Sequence, residues 1–151
     1  LEPSHEVQRD IVRVMRQVQP NLVITQNPER NWDRLPASHP DHMAAGEATV
    51  RALYPAVRNP YAYPELRTAE GLEPWTVNWL WLNTNLGANH FVDTTETFPR
   101  KLAALQAHVS QTSHMDNLEE MIRMWGTTQA EAAALPEGRV AESFRQIKLP
   151  D

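Results

Sequence analysis

Residues 4–25, SHEVQRDIVRVMRQVQPNLVIT, decide the fold class of this chain. Between positions 5 and 18, apolar residues recur at the spacing of an amphipathic helix, with Ser4 as a candidate cap and Pro20 just past the end; they are Val7, Ile11, Val14, Met15 and Val18. The apolar run at 21–25 follows at once, which is typical of a strand buried on both faces in a parallel sheet. A helix that leads directly into such a strand predicts an α/β fold.

The next segments place a helix where an α/β protein binds its ligands. Residues 26–38, QNPERNWDRLPAS, form a loop after the carboxyl end of the strand, the edge at which ligands collect in open α/β sheets. Pro40 suits the first position of a helix, which we expect to reach about Tyr54. Its inward residues are predicted to be Met43, Gly46, Val50, Leu53 and Tyr54.

The remaining elements are read from local patterns. WTVNWLWLN (75–83) and HFVD (90–93) indicate strands, and VAESFRQI (140–147) a last extended segment. DTTE (93–96) has capping-box spacing before a helix. A further helix is predicted from Met115 to Trp125, ending at Gly126, followed by a short alanine-rich helix.

Composition excludes several classes of function. The 151 residues are 41% hydrophobic and 22% charged, which is typical of a globular domain. The net charge of −5 and the lack of a basic cluster argue against nucleic-acid binding. The longest apolar run is too short to span a membrane, and no leader opens the sequence, so we expect a cytoplasmic location. Without cysteine, any metal site must use histidine, aspartate or glutamate.

The stretch ASHPDHMAAGEA (37–48) concentrates the residues of a candidate site. His39 and His42 lie one turn apart beside Asp41, a set that suits either a metal site or acid–base chemistry. The pattern alone is equally compatible with a helix start that carries histidines by chance. A catalytic zinc usually takes three protein ligands, so His42 needs partners; His90, His108 and His114 are the candidates within the chain.

Several segments together resemble the LmbE-like, or PIG-L, N-acetylglucosamine de-N-acetylases. SHPDHMAAGEA (38–48) resembles the second histidine motif of that family. VDTTETFPRKLAALQAHVSQ (92–111) resembles its later helix, IVRVMRQVQPNLVIT (11–25) the helix and strand before the motif, and VAESFRQI its closing segment. The resemblance implies a Rossmann-like three-layer fold with a mostly parallel sheet.

The resemblance also implies roles for the histidine motif. The activity would be zinc-dependent removal of an N-acetyl or N-acyl group from an amino sugar or glycoconjugate, with a zinc-bound water attacking the amide. By position, His42 resembles the zinc ligand. His39 resembles the imidazole that polarises the carbonyl or protonates the leaving amine, and Asp41 the residue that orients or charges it. His108 and Gln111 would support these groups, and Asp93 is predicted to be a cap.

The family's earlier Ala-His-Pro-Asp-Asp-Glu motif, which holds two further zinc ligands and the proposed base, is not in this sequence. We therefore expect residues 1–151 to be the carboxyl-terminal part of a single deacetylase domain. Its expected partner is an amino-terminal fragment of the same enzyme bearing the His-Pro-Asp-Asp motif, without which the chain should be inactive.

The substrate contacts predicted from the loop are Arg30, Trp32 and Arg34. Trp32 would stack on a sugar ring, although a loop anchor in the core explains a tryptophan there equally well. Mycothiol-pathway members have a tyrosine where this chain has Ala37, which argues against a mycothiol substrate. Either His39 makes the contact with the substrate carbonyl alone, or Tyr61 or Tyr63 takes the place of that tyrosine. The alternatives are a noncatalytic carbohydrate-binding or interaction domain on the same scaffold, and an amidase acting on a thiol conjugate.

Overall fold

The computed structural model describes residues 1–83 and 87–150, which fall into two compact units. The first unit comprises residues 1–87 and 145–151, and the second comprises residues 88–144. The strands of the described chain form one sheet in the order β1-β2-β4-β3; they are β1 (Leu22–Gln26), β2 (Trp79–Asn83), β3 (His90–Asp93) and β4 (Ala141–Lys148). β1 and β2 are parallel, and β3 is antiparallel to β4. The predicted α/β class is confirmed.

The two long helices of the first unit begin where the sequence predicts, whereas a short third helix was not predicted. α1 (His5–Val18) is capped by Ser4, whose Oγ accepts a hydrogen bond from the Val7 N–H at 3.3 Å. α2 (Pro40–Leu53) follows the loop, and the short α3 (Pro64–Thr68) precedes β2. The core of this unit gathers apolar side chains from these elements and the turns between them: Val12, Met15, Ala52, Leu53, Ala56, Val57, Leu66, Val77, Leu80 and Leu82.

A buried arginine holds the segment after α2 in place. Arg16 is only 2% exposed, and its guanidinium donates to the backbone carbonyls of four residues; these are Ala56, Val57, Asn59 and Ala62. Burial lowers the pKa of Arg16 because it disfavours the charged form. The four carbonyls accept from Nε and Nη2, whereas Nη1 is buried with no hydrogen-bond partner among the described residues. These bonds tie α1 to the segment 56–62.

Two expectations about burial are wrong in the first unit. β1 is not buried on both faces: it lies at one end of the strand order, and Ile24 is 55% exposed. The apolar stripe of α1 is only partly covered, because Val14 is 54% and Val18 is 67% exposed. Met15, within the predicted stripe, and Val12, outside it, are the residues of α1 that lie in the core.

The β2 strand is shorter than predicted, because the residues before it are bonded elsewhere. The Trp75 indole donates to the Pro20 carbonyl at 2.8 Å. The N–H groups of Asn78 and Trp79 both reach the Asn21 carbonyl at 3.1 Å. The ladder with β1 therefore begins only at Trp79. Tyr54, predicted to face inward, is exposed.

The second unit contains α4 (Phe98–Gln106), α5 (Val109–Thr112) and α6 (Leu118–Ala132) around a core of Phe98, Leu118, Ile122 and Val140. Gly126 does not end a helix as predicted, and α6 runs through it and absorbs the alanine-rich segment. A Cβ at Gly126 would lie 2.9 Å from the Val140 side chain, so glycine there permits close packing. Across residues 1–83 and 87–150, no helix has both the length and the apolar character needed to cross a bilayer.

Candidate active site

A glycine brings the histidine-bearing helix against the end of β1. A Cβ on Gly46 would lie 2.3 Å from the Gln26 carbonyl oxygen and 3.0 Å from the Pro28 nitrogen, both backbone atoms. Only a residue without a side chain permits this approach of α2 to the strand end. The first turn of α2 is thereby positioned near the carboxyl edge of the sheet, where α/β proteins carry their sites.

The loop before the helix is held by its own polar side chains. The buried Ser38 Oγ accepts from the Asn31 N–H at 2.7 Å. The Asn31 side-chain oxygen in turn accepts from the N–H groups of Asp33 and Arg34, at 3.1 and 2.9 Å. These hydrogen bonds give the loop a defined conformation up to His39.

His39 is the cap of α2. Its backbone is extended, with φ −60° and ψ 131°, and its Nδ1 accepts a hydrogen bond from the Asp41 N–H at 3.2 Å. An imidazole nitrogen that accepts carries no proton, so a neutral His39 has its proton on Nε2. The cap consequently fixes both the direction of the ring and the nitrogen that can donate.

Asp41 lies in the first turn of α2, and its side chain is exposed. A solvated aspartate is ionised at neutral pH. The contact that orients the His39 ring comes from the Asp41 backbone N–H, not from the carboxylate.

His42 is exposed in the same turn, and its ring centroid lies 5.2 Å from that of His39, with the planes tilted by 44°. Imidazole nitrogen and carboxylate oxygen are donors that zinc accepts, so the residues fit this metal in kind. They do not fit in number: within residues 1–83 and 87–150, no three histidine, aspartate or glutamate side chains come together to hold a metal ion. His90, His108 and His114 do not complete such a group with the motif.

The predicted substrate residues lie on the loop 26–38. Trp32 is 81% exposed, so it does not anchor the loop in the core, and that alternative is wrong. The Arg30 guanidinium carbon lies 5.6 Å from the centre of the Trp32 ring, a cation–π contact. Arg34 precedes the 3₁₀ turn Leu35–Ala37 and is exposed.

Four other residues were named from the sequence: His108, Gln111, Tyr61 and Tyr63. His108 is exposed and precedes α5, and its carbonyl accepts from the Gln111 N–H at 2.8 Å. Tyr63 packs against the core of the first unit, where burial raises its pKa, and Tyr61 is exposed.

Asp93 caps a turn, not a helix. Its Oδ1 accepts from the N–H and hydroxyl of Thr95, at 2.9 and 2.6 Å, and its Oδ2 lies 3.3 Å from Arg139. The predicted capping box at 93–96 is wrong, because α4 begins only at Phe98 and Thr97 precedes it. The hydrogen bonds from Thr95, with Arg139, lower the pKa of Asp93.

Sequence reasoning missed how Gly46 and Ser38 serve the site. The helical pattern predicts that Gly46 faces inward, but it does not predict the contact of Gly46 with backbone at the end of β1. The available signal was a glycine inside a helical pattern, which often marks a close approach. Ser38 gave no signal that separates it from other loop serines.

Known deacetylases are similar to this chain in sequence. A diacetylchitobiose deacetylase of Thermococcus kodakarensis is 29% identical over 108 residues, which are 72% of this chain and 38% of that protein. A 1D-myo-inositol 2-acetamido-2-deoxy-alpha-D-glucopyranoside deacetylase of Kineococcus radiotolerans is 40% identical over 72 residues, 48% of this chain and 17% of that protein. No protein-family profile matches.

A solved structure agrees in fold over nearly the whole chain. It is an N,N'-diacetylchitobiose deacetylase from Pyrococcus horikoshii, with a TM-score of 0.82 at 25% identity. The match covers 97% of this chain and 53% of that one. The chain therefore spans about half the length of this relative, and 38% and 17% of the other two. The resemblance is confirmed: the chain is similar in sequence and fold to deacetylases of the LmbE/PIG-L type.

Proposed function

We propose that this chain is the carboxyl-terminal, histidine-bearing part of a zinc-dependent hydrolase that removes an N-acetyl or N-acyl group from an amino sugar or glycoconjugate. The observation that supports this proposal most directly is the first turn of α2. There His39 caps the helix through Nδ1, and the ring centres of His39 and His42 are 5.2 Å apart. The names of three matched relatives, each of them a deacetylase, support the choice of reaction.

His39 acts on the amide through its free nitrogen. With Nδ1 occupied by the Asp41 N–H, the Nε2–H is the donor available to the carbonyl oxygen of the substrate. When attack on the carbonyl makes that oxygen negative, the hydrogen bond strengthens, which lowers the barrier. To protonate the departing amine, His39 must first take up a second proton at Nδ1, released by the attacking water, which breaks the bond from the Asp41 N–H. The imidazolium then gives its Nε2 proton to the amine nitrogen and returns to the neutral ring, a step typically worth about 10²–10⁴-fold.

Asp41 keeps negative charge beside both rings. A solvated aspartate is ionised throughout the neutral range. An ionised carboxylate stabilises positive charge on a neighbouring imidazole, which favours the protonated state that His39 reaches when it takes up a proton. The Asp41 backbone N–H holds the neutral ring in position before that protonation.

His42 would hold the metal together with ligands from polypeptide outside this chain, because the described residues supply too few. A bound zinc ion supplies Lewis acidity and makes water nucleophilic near neutral pH. Arg30, Trp32 and Arg34 would bind the sugar, with the exposed indole as the stacking surface.

The test uses a chimera in which this chain replaces the matched part of the Pyrococcus horikoshii deacetylase. We expect about one zinc per assembled site and release of acetate from N,N'-diacetylchitobiose. The 151-residue chain alone should do neither. A folded chimera that binds saccharide but holds no zinc and releases no acetate would support the noncatalytic alternative instead. Acetate release only from N-acylated thiol conjugates would favour the amidase.

A further inference from the structure

An ion pair joins the loop 26–38 to a strand that is not its neighbour. The Nη1 of Arg145, on β4, lies 3.4 and 3.5 Å from the two carboxylate oxygens of Glu29, in the loop. The loop follows β1, and β2 lies between β1 and β4 in the sheet. The contact between the two side chains therefore passes the end of β2.

The backbone around both residues places this contact at the carboxyl edge of the sheet. The Leu149 N–H donates to the Asn78 carbonyl at 2.9 Å, so the end of β4 lies beside the residue before β2. Arg145 precedes Leu149 by four residues and lies towards the carboxyl end of β2. The Glu29 N–H donates to the Asn27 side-chain oxygen at 2.9 Å, which fixes the loop there. Ligands of open α/β sheets bind at this edge.

The two side chains hold each other loosely and face solvent. Charge-assisted hydrogen bonds between nitrogen and oxygen are usually about 2.7–2.9 Å long, which is shorter than both distances in this pair. The side chain of Glu29 is 58% exposed and that of Arg145 is 42% exposed. In the part of the chain that the structure describes, the guanidinium bonds through Nη1 alone, so Nε and Nη2 can donate to a ligand.

The charges of the pair favour hydroxyl groups over an anion. An uncompensated arginine attracts phosphate or carboxylate, but the Glu29 carboxylate neutralises Arg145 and repels either group. A carboxylate accepts hydrogen bonds and a guanidinium donates them, whereas a sugar hydroxyl does both. Neighbouring hydroxyls of one saccharide can therefore bond to both side chains at once.

We propose that Glu29 and Arg145 bind hydroxyl groups of a neutral saccharide whose ring lies against Trp32. Trp32 follows Glu29 by three residues in the same loop and is 81% exposed. Arg30 lies over one face of the indole, at 5.6 Å from the ring centre, and the opposite face is left for the sugar. The inference rests on the proposed function and makes Glu29 and Arg145 residues that determine its substrate specificity.

The first test measures binding of N,N'-diacetylchitobiose by calorimetry to the chimera defined above, prepared without zinc so that no turnover occurs. Glu29→Met and Arg145→Met keep the stems and remove the polar groups, so each should raise Kd at least about fivefold. Arg67→Met and Glu73→Met break another exposed ion pair of the first unit and are the controls, which should bind as the parent does. All four changes should move the unfolding midpoint by less than about 2 °C, because exposed pairs contribute little stability.

A charged ligand separates recognition of hydroxyls from binding of an anion. N-acetylglucosamine 6-phosphate should bind the parent chimera more weakly than N-acetylglucosamine does, because Glu29 repels the phosphate. Glu29→Met should reverse that order, since Arg145 then carries an uncompensated charge. Tighter binding of the phosphate by the parent would overturn the proposal in favour of an anion site.

Hydrogen exchange tests whether the pair contacts the sugar or only holds the loop. The amides of Asn31, Asp33 and Arg34 are bonded within the loop. Without saccharide they should exchange at the parental rate in Glu29→Met and Arg145→Met. Faster exchange accompanied by weaker binding would make the pair a loop anchor and overturn direct contact with the sugar.

These measurements do not require catalysis, so this inference and the proposed function can fail separately. Equal Kd values for the parent and both variants, or no binding of the disaccharide by the parent, would overturn the inference even if the zinc-loaded chimera releases acetate. Weaker binding by both variants of a chimera that releases no acetate would retain the saccharide contact and remove the hydrolase.

Discussion

At the scale of single residues, the histidine pair divides between two tasks that point mutations can separate. His39 uses one ring nitrogen to hold the helix start, and its other nitrogen remains for chemistry. His42 makes no such cap and is the better placed of the two to give a nitrogen to a metal ion.

We therefore predict that two alanine variants of the chimera lose different properties. His42→Ala should abolish zinc retention, measured by metal analysis after dialysis, because a ligand is lost. His39→Ala should retain zinc but lower kcat by about 10²–10⁴-fold, since the donor and proton carrier is gone. His5→Ala, on the exposed start of α1, is the control and should match the parent in both measurements. Full activity of either site variant would remove its proposed role.

Trp32 gives a second residue-scale prediction. If the indole stacks on a sugar ring, Trp32→Ala should raise KM by about fivefold, because stacking of this type contributes about 1 kcal/mol. Zinc content and the unfolding midpoint should not change, since the side chain lies outside the core. Trp125→Ala, in α6, is the control for loss of a tryptophan. An unchanged KM would show that Trp32 does not touch substrate.

At the scale of elements, the contact between α2 and the end of β1 controls where the histidine turn lies. Glycine inside a helix normally costs stability relative to alanine, so Gly46→Ala would stabilise α2 if only the helix mattered. The structure predicts the opposite sign. An alanine Cβ would meet the Gln26 carbonyl, and the backbone must move apart.

Gly46→Ala is thus expected to destabilise the chain by about 1–3 kcal/mol, the usual range for an overpacked contact, in denaturant unfolding. In the chimera it should also lower kcat, because the turn that carries His39 is displaced. A stabilised variant would show that α2 and β1 do not meet as described.

Arg16 is the corresponding test for the link between α1 and the segment 56–62. Arg16→Met keeps the buried stem but removes the guanidinium donor from four carbonyls, three of which keep a backbone N–H partner. We therefore expect a loss of about 1–3 kcal/mol in unfolding free energy. Arg13 lies on the same helix and forms an exposed ion pair with Glu70. Arg13→Met removes that pair and should cost less than about 1 kcal/mol. Similar costs for both variants would contradict a special role for Arg16.

Element types and order could be read from sequence because helical and strand periodicity are local. The starts of α1 and α2 follow from Ser4 and Pro40, which act within one turn. The failures lie where a distant backbone decides. Gly126 continues a helix because Val140 approaches it, and WTVNWLWLN pairs late because its first residues bond to Pro20 and Asn21. The histidine motif was recognisable, but the tautomer of His39 required coordinates.

At the scale of the whole molecule, acid should weaken the fold partly through Asp93. Its folded-state pKa is lowered below the ordinary value of 3.8 by the Thr95 hydrogen bonds. A depressed pKa contributes stability that is complete above about pH 3.8 and is lost as pH falls through the folded value.

We expect the unfolding free energy of Asp93→Asn to fall less steeply with acid below that pH than the parent's, in urea titrations at several pH values. Thr95→Ala should flatten the curve in the same way, because Thr95 supplies the main cause of the shift. Parallel curves for parent and variants would remove this contribution.

The exposure of Trp32 makes the loop observable by light. An indole surrounded by water emits at longer wavelength than one in apolar surroundings, and with 81% of its surface free Trp32 should contribute the reddest emission of the five tryptophans. Saccharide stacked on the ring would shift that emission towards blue. Subtracting the spectrum of a Trp32→Phe variant isolates the signal, so carbohydrate titrations can be followed optically before any reaction is established.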